Sequence, residues 1–236
     1  MKQVSAIVQA RMGSTRLPGK IMKEIIGKPM IDYVIERISK SSLISEIIIA
    51  TSEREENYAF IKYLDSKEIK YYVGDEEDVL SRYYYTAKQF NIENIVRITA
   101  DCPLIDPLII DNTVKEYFDS STEYTSNIYP RSFPKGLDTE VFSFKALERA
   151  NYEATSTYDR EHVTSYIRES GKFKISNYSN GKDYSKLRLT VDWMEDFILI
   201  ERIFQSFSPN IFFNWLDIIS KLDNNQDLID INKHLS

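Results

Sequence analysis

Val4-Ser5-Ala6-Ile7-Val8, running into Gln9-Ala10-Arg11-Met12-Gly13-Ser14-Thr15-Arg16-Leu17-Pro18-Gly19-Lys20, is the stretch on which the fold turns. The first five residues read as a buried strand, and the apolar runs Ile47–Thr51, Lys70–Val73 and Ile95–Thr99 repeat the pattern. These runs are β-branched and continuous rather than alternating, as expected of strands buried on both faces. Helical periodicity falls between and after them, at Met30–Ser39, Glu55–Ser66, Asp78–Phe90 and Pro107–Phe118. Strand and helix taking turns predict an α/β fold: a Rossmann-like, doubly wound, mostly parallel sheet.

Beyond residue 120 the pattern loosens. Thr122–Pro134 reads as a strand entering a long loop, Leu137–Phe144 as a strand, and Lys145–Tyr152 and Thr157–Glu169 as helices. Phe173–Tyr184 is turn-rich, with Asn180-Gly181 as a hairpin tip. A short strand at Leu187–Val191 and helices at Trp193–Phe207 and Phe212–Leu222 follow. No repeat, low-complexity tract or linker divides the chain. A single domain over 1–236 is expected, with 122–186 as an elaboration.

The 236 residues carry 30 basic and 36 acidic side chains, a net charge of −6, with 42% hydrophobic residues, ordinary values for a soluble globular protein. The acidic balance speaks against a general nucleic-acid binder. The apolar stretch near the N-terminus is too short and polar for a signal peptide or a membrane span, and Cys102 alone cannot form an internal disulfide. A cytoplasmic protein with no membrane partner is expected. Between Gln9 and Lys28, however, five basic residues face Glu24 alone, a local charge of +4 that leaves −10 for the rest. A basic island in an acidic chain suits a small polyanion held at one place.

The order of residues in that island sharpens the reading. The loop leaves the carboxyl end of the first strand, where open parallel sheets bind ligands. Gly13 and Gly19 let backbone amides turn toward an anion, and Arg11, Arg16 and Lys20 can neutralise phosphate. It is not a Walker A loop, because five residues separate the glycines and Ile21 follows Lys20, and the dinucleotide fingerprint is absent. The loop resembles the signature of the cytidylyltransferases that make CMP-activated acidic sugars, the sialic-acid and KDO synthetases. Gln9–Lys20, Arg97–Ile105, Gly136–Phe144, Arg160–Ile167 and Leu187–Phe197 are similar to the spore-coat polysaccharide branch of that superfamily. The resemblance implies a nucleotide-diphospho-sugar-transferase-like fold, CTP as donor and magnesium as metal. It also implies nucleotide binding by Gln9, Ala10, Arg11, Met12, Gly13, Ser14, Arg16 and Lys20. A pyrimidine would be met at the ends of the second and third strands, near Thr51 and Gly74.

The carboxylates divide between structural and chemical readings. Asp101, just past the fourth strand, is equally a turn-former or a metal ligand by position, and the resemblance favours the ligand. Asp192-Trp193-Met194-Glu195 reads as a capping box with Asp192 as the cap, while the resemblance makes Asp192 the second metal carboxylate. Glu195 and Asp196 read as first-turn acids suited to the helix dipole. Asp138 and Glu140, two apart on a strand, share a face. The resemblance places them with Arg160 and His162 at the acceptor. Arg131, Arg160 or Arg168 would fit an acidic sugar. No serine, cysteine or histidine nucleophile arrangement is present.

These readings predict transfer of CMP from CTP to an acidic sugar or related acceptor, with release of pyrophosphate. Arg11, Lys20, Asp101 and Asp192 would carry it. A glycosyltransferase of the same fold would usually show Asp-x-Asp where this chain has Asp101-Cys102-Pro103, and a non-catalytic regulator would not need both metal carboxylates. The largely aromatic apolar load of 122–186, including Tyr124, Ile128, Tyr129, Phe133, Tyr152, Tyr158, Tyr166, Phe173 and Tyr178, is hard to bury in a small appendage and predicts a homodimer.

Overall fold

The computed structural model describes residues 3–235. Nine strands form: β1 (Ser5–Gln9), β2 (Glu24–Ile25), β3 (Lys28–Pro29), β4 (Glu46–Ser52), β5 (Tyr71–Gly74), β6 (Asn94–Thr99), β7 (Tyr124–Ser126), β8 (Glu140–Ser143) and β9 (Ile175–Asn177). Seven of them make one sheet in the order β5-β4-β1-β6-β8-β7-β9. β5, β4, β1 and β6 pair in parallel, β8 is antiparallel to both β6 and β7, and β9 is parallel to β7. Six strands therefore point one way and β8 alone is reversed.

β1 shows why the strand runs were continuous. Ala6 and Val8 enter one core while Ile7 enters the other, so alternate residues serve opposite faces. The first core is closed by α1 (Met30–Ile38), α2 (Tyr58–Ser66), α4 (Pro107–Asp119), α8 (Met194–Phe207) and α9 (Trp215–Asp223). The second is closed by α3 (Val79–Gln89), α5 (Phe144–Glu153) and α7 (Ser165–Glu169). A buried cation ties the C-terminal segment to the first core. Arg37 of α1 donates to the carbonyls of Ile105 (2.8 Å), Ile211 (2.6 Å) and Phe213 (2.9 Å), and burial lowers its pKa to about 10.

Three expectations change. Leu187–Val191 is not a strand: Lys135 N–H donates to the Leu187 carbonyl and its carbonyl accepts from Leu189 N–H around one isolated bridge, Lys135 to Arg188, and Val191 N–H turns instead to the Asp101 carbonyl (2.8 Å). Asn180-Gly181 consequently joins no two strands. The helix expected over Thr157–Glu169 is two, α6 (Thr157–His162) and α7, broken at Val163 with φ 63° and ψ −58°. Thr164 N–H closes on the His162 carbonyl at 2.6 Å, a γ-turn with left-handed φ that is strained for a β-branched residue. The small β2–β3 hairpin and α10 (Gln226–Asp230) had no counterpart in the sequence reading.

Gly136 lets the 134–138 loop pass against this irregular crossing. Its φ is 101°, and a Cβ there would lie 2.4 Å from the Leu189 carbonyl carbon and 2.5 Å from Thr190 N. Both obstacles are backbone, so Gly136→Ala should cost at least about 2 kcal/mol. A denaturant titration checks this; a midpoint equal to that of the parent would show that the crossing is free to shift.

Candidate active site

The basic loop starts where β1 ends and folds on its own backbone. The Met12 carbonyl accepts from Ser14 N–H (2.9 Å) and Gly19 N–H (3.1 Å), and Gly19 takes φ 67°. Met12 N–H is fixed by Asn57 Oδ1 at 2.7 Å, so this residue shapes the loop through its backbone while its side chain packs on the core. Gln9, Ala10, Arg11, Gly13, Ser14, Arg16 and Lys20 then line a cleft of about 370 Å³, together with Arg97, Asp101, His162 and Asp192.

Charge is matched across this cleft. Lys20 Nζ donates to the Val191 carbonyl (2.7 Å), Asp192 Oδ1 (3.0 Å) and Asp101 Oδ2 (3.4 Å). Arg16 Nη2 lies 2.8 Å from Asp192 Oδ1, and Arg188 Nη2 donates to Asp192 Oδ2 at 2.9 Å. Burial would raise the pKa of Asp192, but Lys20, Arg188 and Arg16 outweigh it and hold the carboxyl below the usual range. Because Asp101 and Asp192 meet on one ammonium nitrogen, they can serve a single cation. Among the described residues no group of three or more acidic, histidine or cysteine side chains could hold a metal alone. Magnesium, which commonly takes one or two carboxylates and completes its shell with phosphate oxygens and water, fits this pair.

The two structural readings of these aspartates are displaced onto other residues. Asp196, completely buried, accepts from the amides of Asp192 (2.9 Å) and Trp193 (3.0 Å), so it closes the start of α8. Arg188 and Asn232 Nδ2 (2.8 Å) hold Asp196 in turn. The expected capping box is therefore shifted by one residue, and the Asp192 carboxylate is free to face the cleft. Likewise Asp106 caps α4 through Leu108 N–H (2.8 Å), leaving the Asp101 side chain to Thr99, Cys102 and Lys20. Burial, with Asp101 beside it, pushes the Cys102 thiol up, which leaves a buried neutral side chain rather than a reagent.

A side pocket of about 150 Å³ adjoins the cleft, sharing Arg97, Thr99 and His162 with it and adding Ile128, Asp138, Glu140, Tyr158, Thr164 and Arg168. Glu140 faces Arg97 across the β6–β8 ladder and is ion-paired to it. Tyr124 (2.7 Å) and Thr164 (2.5 Å) donate to its other oxygen. Its burial is outweighed by Arg97, Thr164, Tyr124 and Arg168, so its pKa is lowered. Glu140 thus belongs to a buried network rather than to a solvated strand face. Asp138, before the strand, is held bidentately by Arg131 at 2.5 and 2.7 Å.

Three predicted positions stand away from both spaces. Thr51 is fully buried on β4, and Gly74 sits opposite Ser52 where an added Cβ would be 2.8 Å from the Tyr72 ring. Arg160 turns from the cleft to Asp78, the cap of α3, and to the Asn151 carbonyl (2.7 Å), so it joins α3, α5 and α6. Conversely, Glu76, Arg188 and Thr164 were missed. Glu76 receives Arg11 at 2.5 Å and the Ser52 hydroxyl. The spacing of Arg188, Asp192 and Asp196 by fours was the one available signal.

Comparison with known proteins bears on the fold and the family. A solved cytidylyltransferase from Leptospira borgpetersenii superposes with a TM-score of 0.91 at 32% identity, covering 97% of each chain. An uncharacterized protein of Methanocaldococcus jannaschii is 34% identical over 99% of this chain and 96% of its own. The spore coat polysaccharide biosynthesis protein SpsF of Bacillus subtilis is 28% identical over 96% of this chain and 97% of its own. The profile of the cytidylyltransferase family matches residues 5–229, and the chain belongs to that family.

Proposed function

We propose that the chain transfers CMP from CTP to a small acidic acceptor, an acidic sugar, and releases pyrophosphate in surface-polysaccharide or glycoconjugate biosynthesis. The observation that carries this is the basic loop facing two carboxylates that converge on one cation. An acceptor oxygen attacks the α-phosphorus, and the bond to the bridging oxygen of pyrophosphate breaks. Magnesium on Asp101 and Asp192 would neutralise charge at the phosphates. Arg11, Arg16 and Lys20 stabilise the departing pyrophosphate, and the cleft walls hold donor and acceptor in line.

The acidic class of acceptor rests on the arginines. Arg131 is consumed by Asp138 and Arg160 by Asp78, while Arg97 neutralises Glu140. Arg168 lines the side pocket, its side chain only 16% exposed, with Glu169 at 3.7 Å and a buried Nε that has no hydrogen-bond partner. A cation so placed suits an anionic group on the acceptor. Arg168→Met should raise the acceptor KM about ten- to a hundredfold and leave the CTP KM unchanged. Equal acceptor KM values would remove Arg168 from the site.

Purified protein with magnesium, CTP and a panel of acidic and neutral sugars tests the whole reading. Acceptor-dependent pyrophosphate release is expected with an acidic sugar, and faster turnover with UTP would overturn the CTP preference. CTP as donor places the reaction in the cytoplasm on this reading. No helix among the described residues is long and apolar enough to cross a membrane. The homodimer through 122–186 rests on fewer rings than expected: Tyr124, Phe133 and Phe173 are buried within the chain, whereas Tyr129, Tyr152 and Tyr158 remain more than half exposed. A single 27.6 kDa species in sedimentation would exclude it.

A further inference from the structure

Lys20 is placed differently from a residue reserved for phosphate. Its side chain is only 12% exposed, and its ammonium lies between the two carboxylates that would hold a metal, anchored by the Val191 carbonyl at 2.7 Å. Asp192 has a cation on each oxygen, Lys20 and Arg16 on Oδ1 and Arg188 on Oδ2. With Asp196 held by Arg188, three carboxylates (Asp101, Asp192, Asp196) face three cations (Lys20, Arg16, Arg188), and the cluster is neutral. A bare divalent ion therefore meets no net attraction, and it must share Asp101 and Asp192 with an ammonium already on them.

We infer that Lys20 is an internal place-holder for the metal, and that its transfer from the carboxylates to the nucleotide phosphates makes metal binding depend on nucleotide binding. The inference rests on the proposed metal role of Asp101 and Asp192. A triphosphate entering the cleft brings negative charge beside the loop and gives Lys20 a second set of oxygens. When Lys20 moves to them, two carboxylates are left without the ammonium between them, and their mutual repulsion favours a divalent ion in its place. The same side chain thus lowers metal affinity in the free protein and binds phosphate in the complex. This is a coupling between two ligands carried by one residue. Its benefit is chemical order: the carboxylates are held together before substrate arrives and are released only by the donor.

The measurement is direct Mn²⁺ binding to nucleotide-free protein, followed by electron paramagnetic resonance of free Mn²⁺. Lys20→Met keeps the length of the side chain and removes the charge. It should bind Mn²⁺ on the order of tenfold or more tightly than the parent, although it is a variant of the binding loop. Adding Asp101→Asn to Lys20→Met should abolish the gain, which assigns it to the carboxylate pair. Thermal melting confirms that each protein is folded, and if Lys20→Met does not fold, Lys20→Gln serves in its place. Equal or weaker Mn²⁺ binding by the folded Lys20 variant overturns the inference alone. Absence of Mn²⁺ binding in both parent and variant, with CTP present as well as absent, overturns it together with the metal reading.

Discussion

Asp192→Asn is expected to lower CTP-dependent turnover by about a hundred- to a thousandfold while leaving the melting temperature within a few degrees of the parent. The combination is informative because a capping aspartate would behave oppositely. Asp196 makes the backbone contacts at the start of α8, so α8 does not need the Asp192 carboxylate. What Asp192 does is draw Arg16 and Lys20 of the loop, and Arg188 beside it, onto one carboxylate across the cleft. Asp101→Asn should cost a similar factor. The double variant should be little worse than the more damaged single one if, as proposed, both carboxylates serve one cation, since their losses are then not independent. Initial rates of pyrophosphate release for the four proteins close the cycle. Multiplicative losses would mean two unrelated roles.

The largest stability loss should follow Glu140→Gln. Glu140 is only 2% exposed, and its ion pair with Arg97 is buried between β6 and β8. The amide keeps the shape but leaves the Arg97 guanidinium without its counter-charge, a change that costs about 3–5 kcal/mol for a buried pair. In a chain of this size that is a fall of about 10 °C in Tm. Scanning calorimetry at neutral pH checks it, and a loss under 1 kcal/mol would show water reaching Arg97. The pH dependence has a defined sign. The folded pKa of Glu140 is depressed, so its contribution is complete above the unfolded carboxylate value of about 4.3 and disappears as pH falls through the folded value. The parent should therefore lose stability toward acid, and Glu140→Gln should lose less over the same interval.

The parallel half of the fold was readable because its physics is local. Ile47-Ile48-Ile49-Ala50 can only be a strand with two covered faces, and the glycine-bearing basic loop after Val8 announces an anion. What escaped depends on partners far along the chain. Leu187–Val191 has strand composition, yet its backbone groups are divided between Lys135 and Asp101, and no ladder forms. The break at Val163 carries no glycine or proline, since the turn is imposed by burial of Val163 and by Thr164 reaching Glu140. Asp192 reads as the cap and Asp196 as a first-turn acid, and the amides of Asp192 and Trp193, which donate to Asp196, reverse that assignment. The segment 122–186 hid the fate of Arg131, Arg160 and Arg168, because a guanidinium consumed by a carboxylate and one left for a ligand read identically in sequence.

The reversal of β8 divides the enzyme's labour along the chain. A reversed strand presents its beginning at the sheet edge where its neighbours present their ends, so Asp138 and Glu140 reach the side pocket from the approach to β8 rather than from its exit. The cleft residues Gln9 through Lys20 and Asp101 precede α4, whereas Ile128, Tyr158, Thr164 and Arg168 of the side pocket all follow it. On the proposed reading, the acceptor groups come from one stretch after α4, the donor groups come from before it with Asp192 added from beyond that stretch, and the two spaces meet at Arg97, Thr99 and His162. On that reading, rebuilding one contiguous insert would change the acceptor while leaving Gln9–Lys20, Asp101 and Asp192 in place.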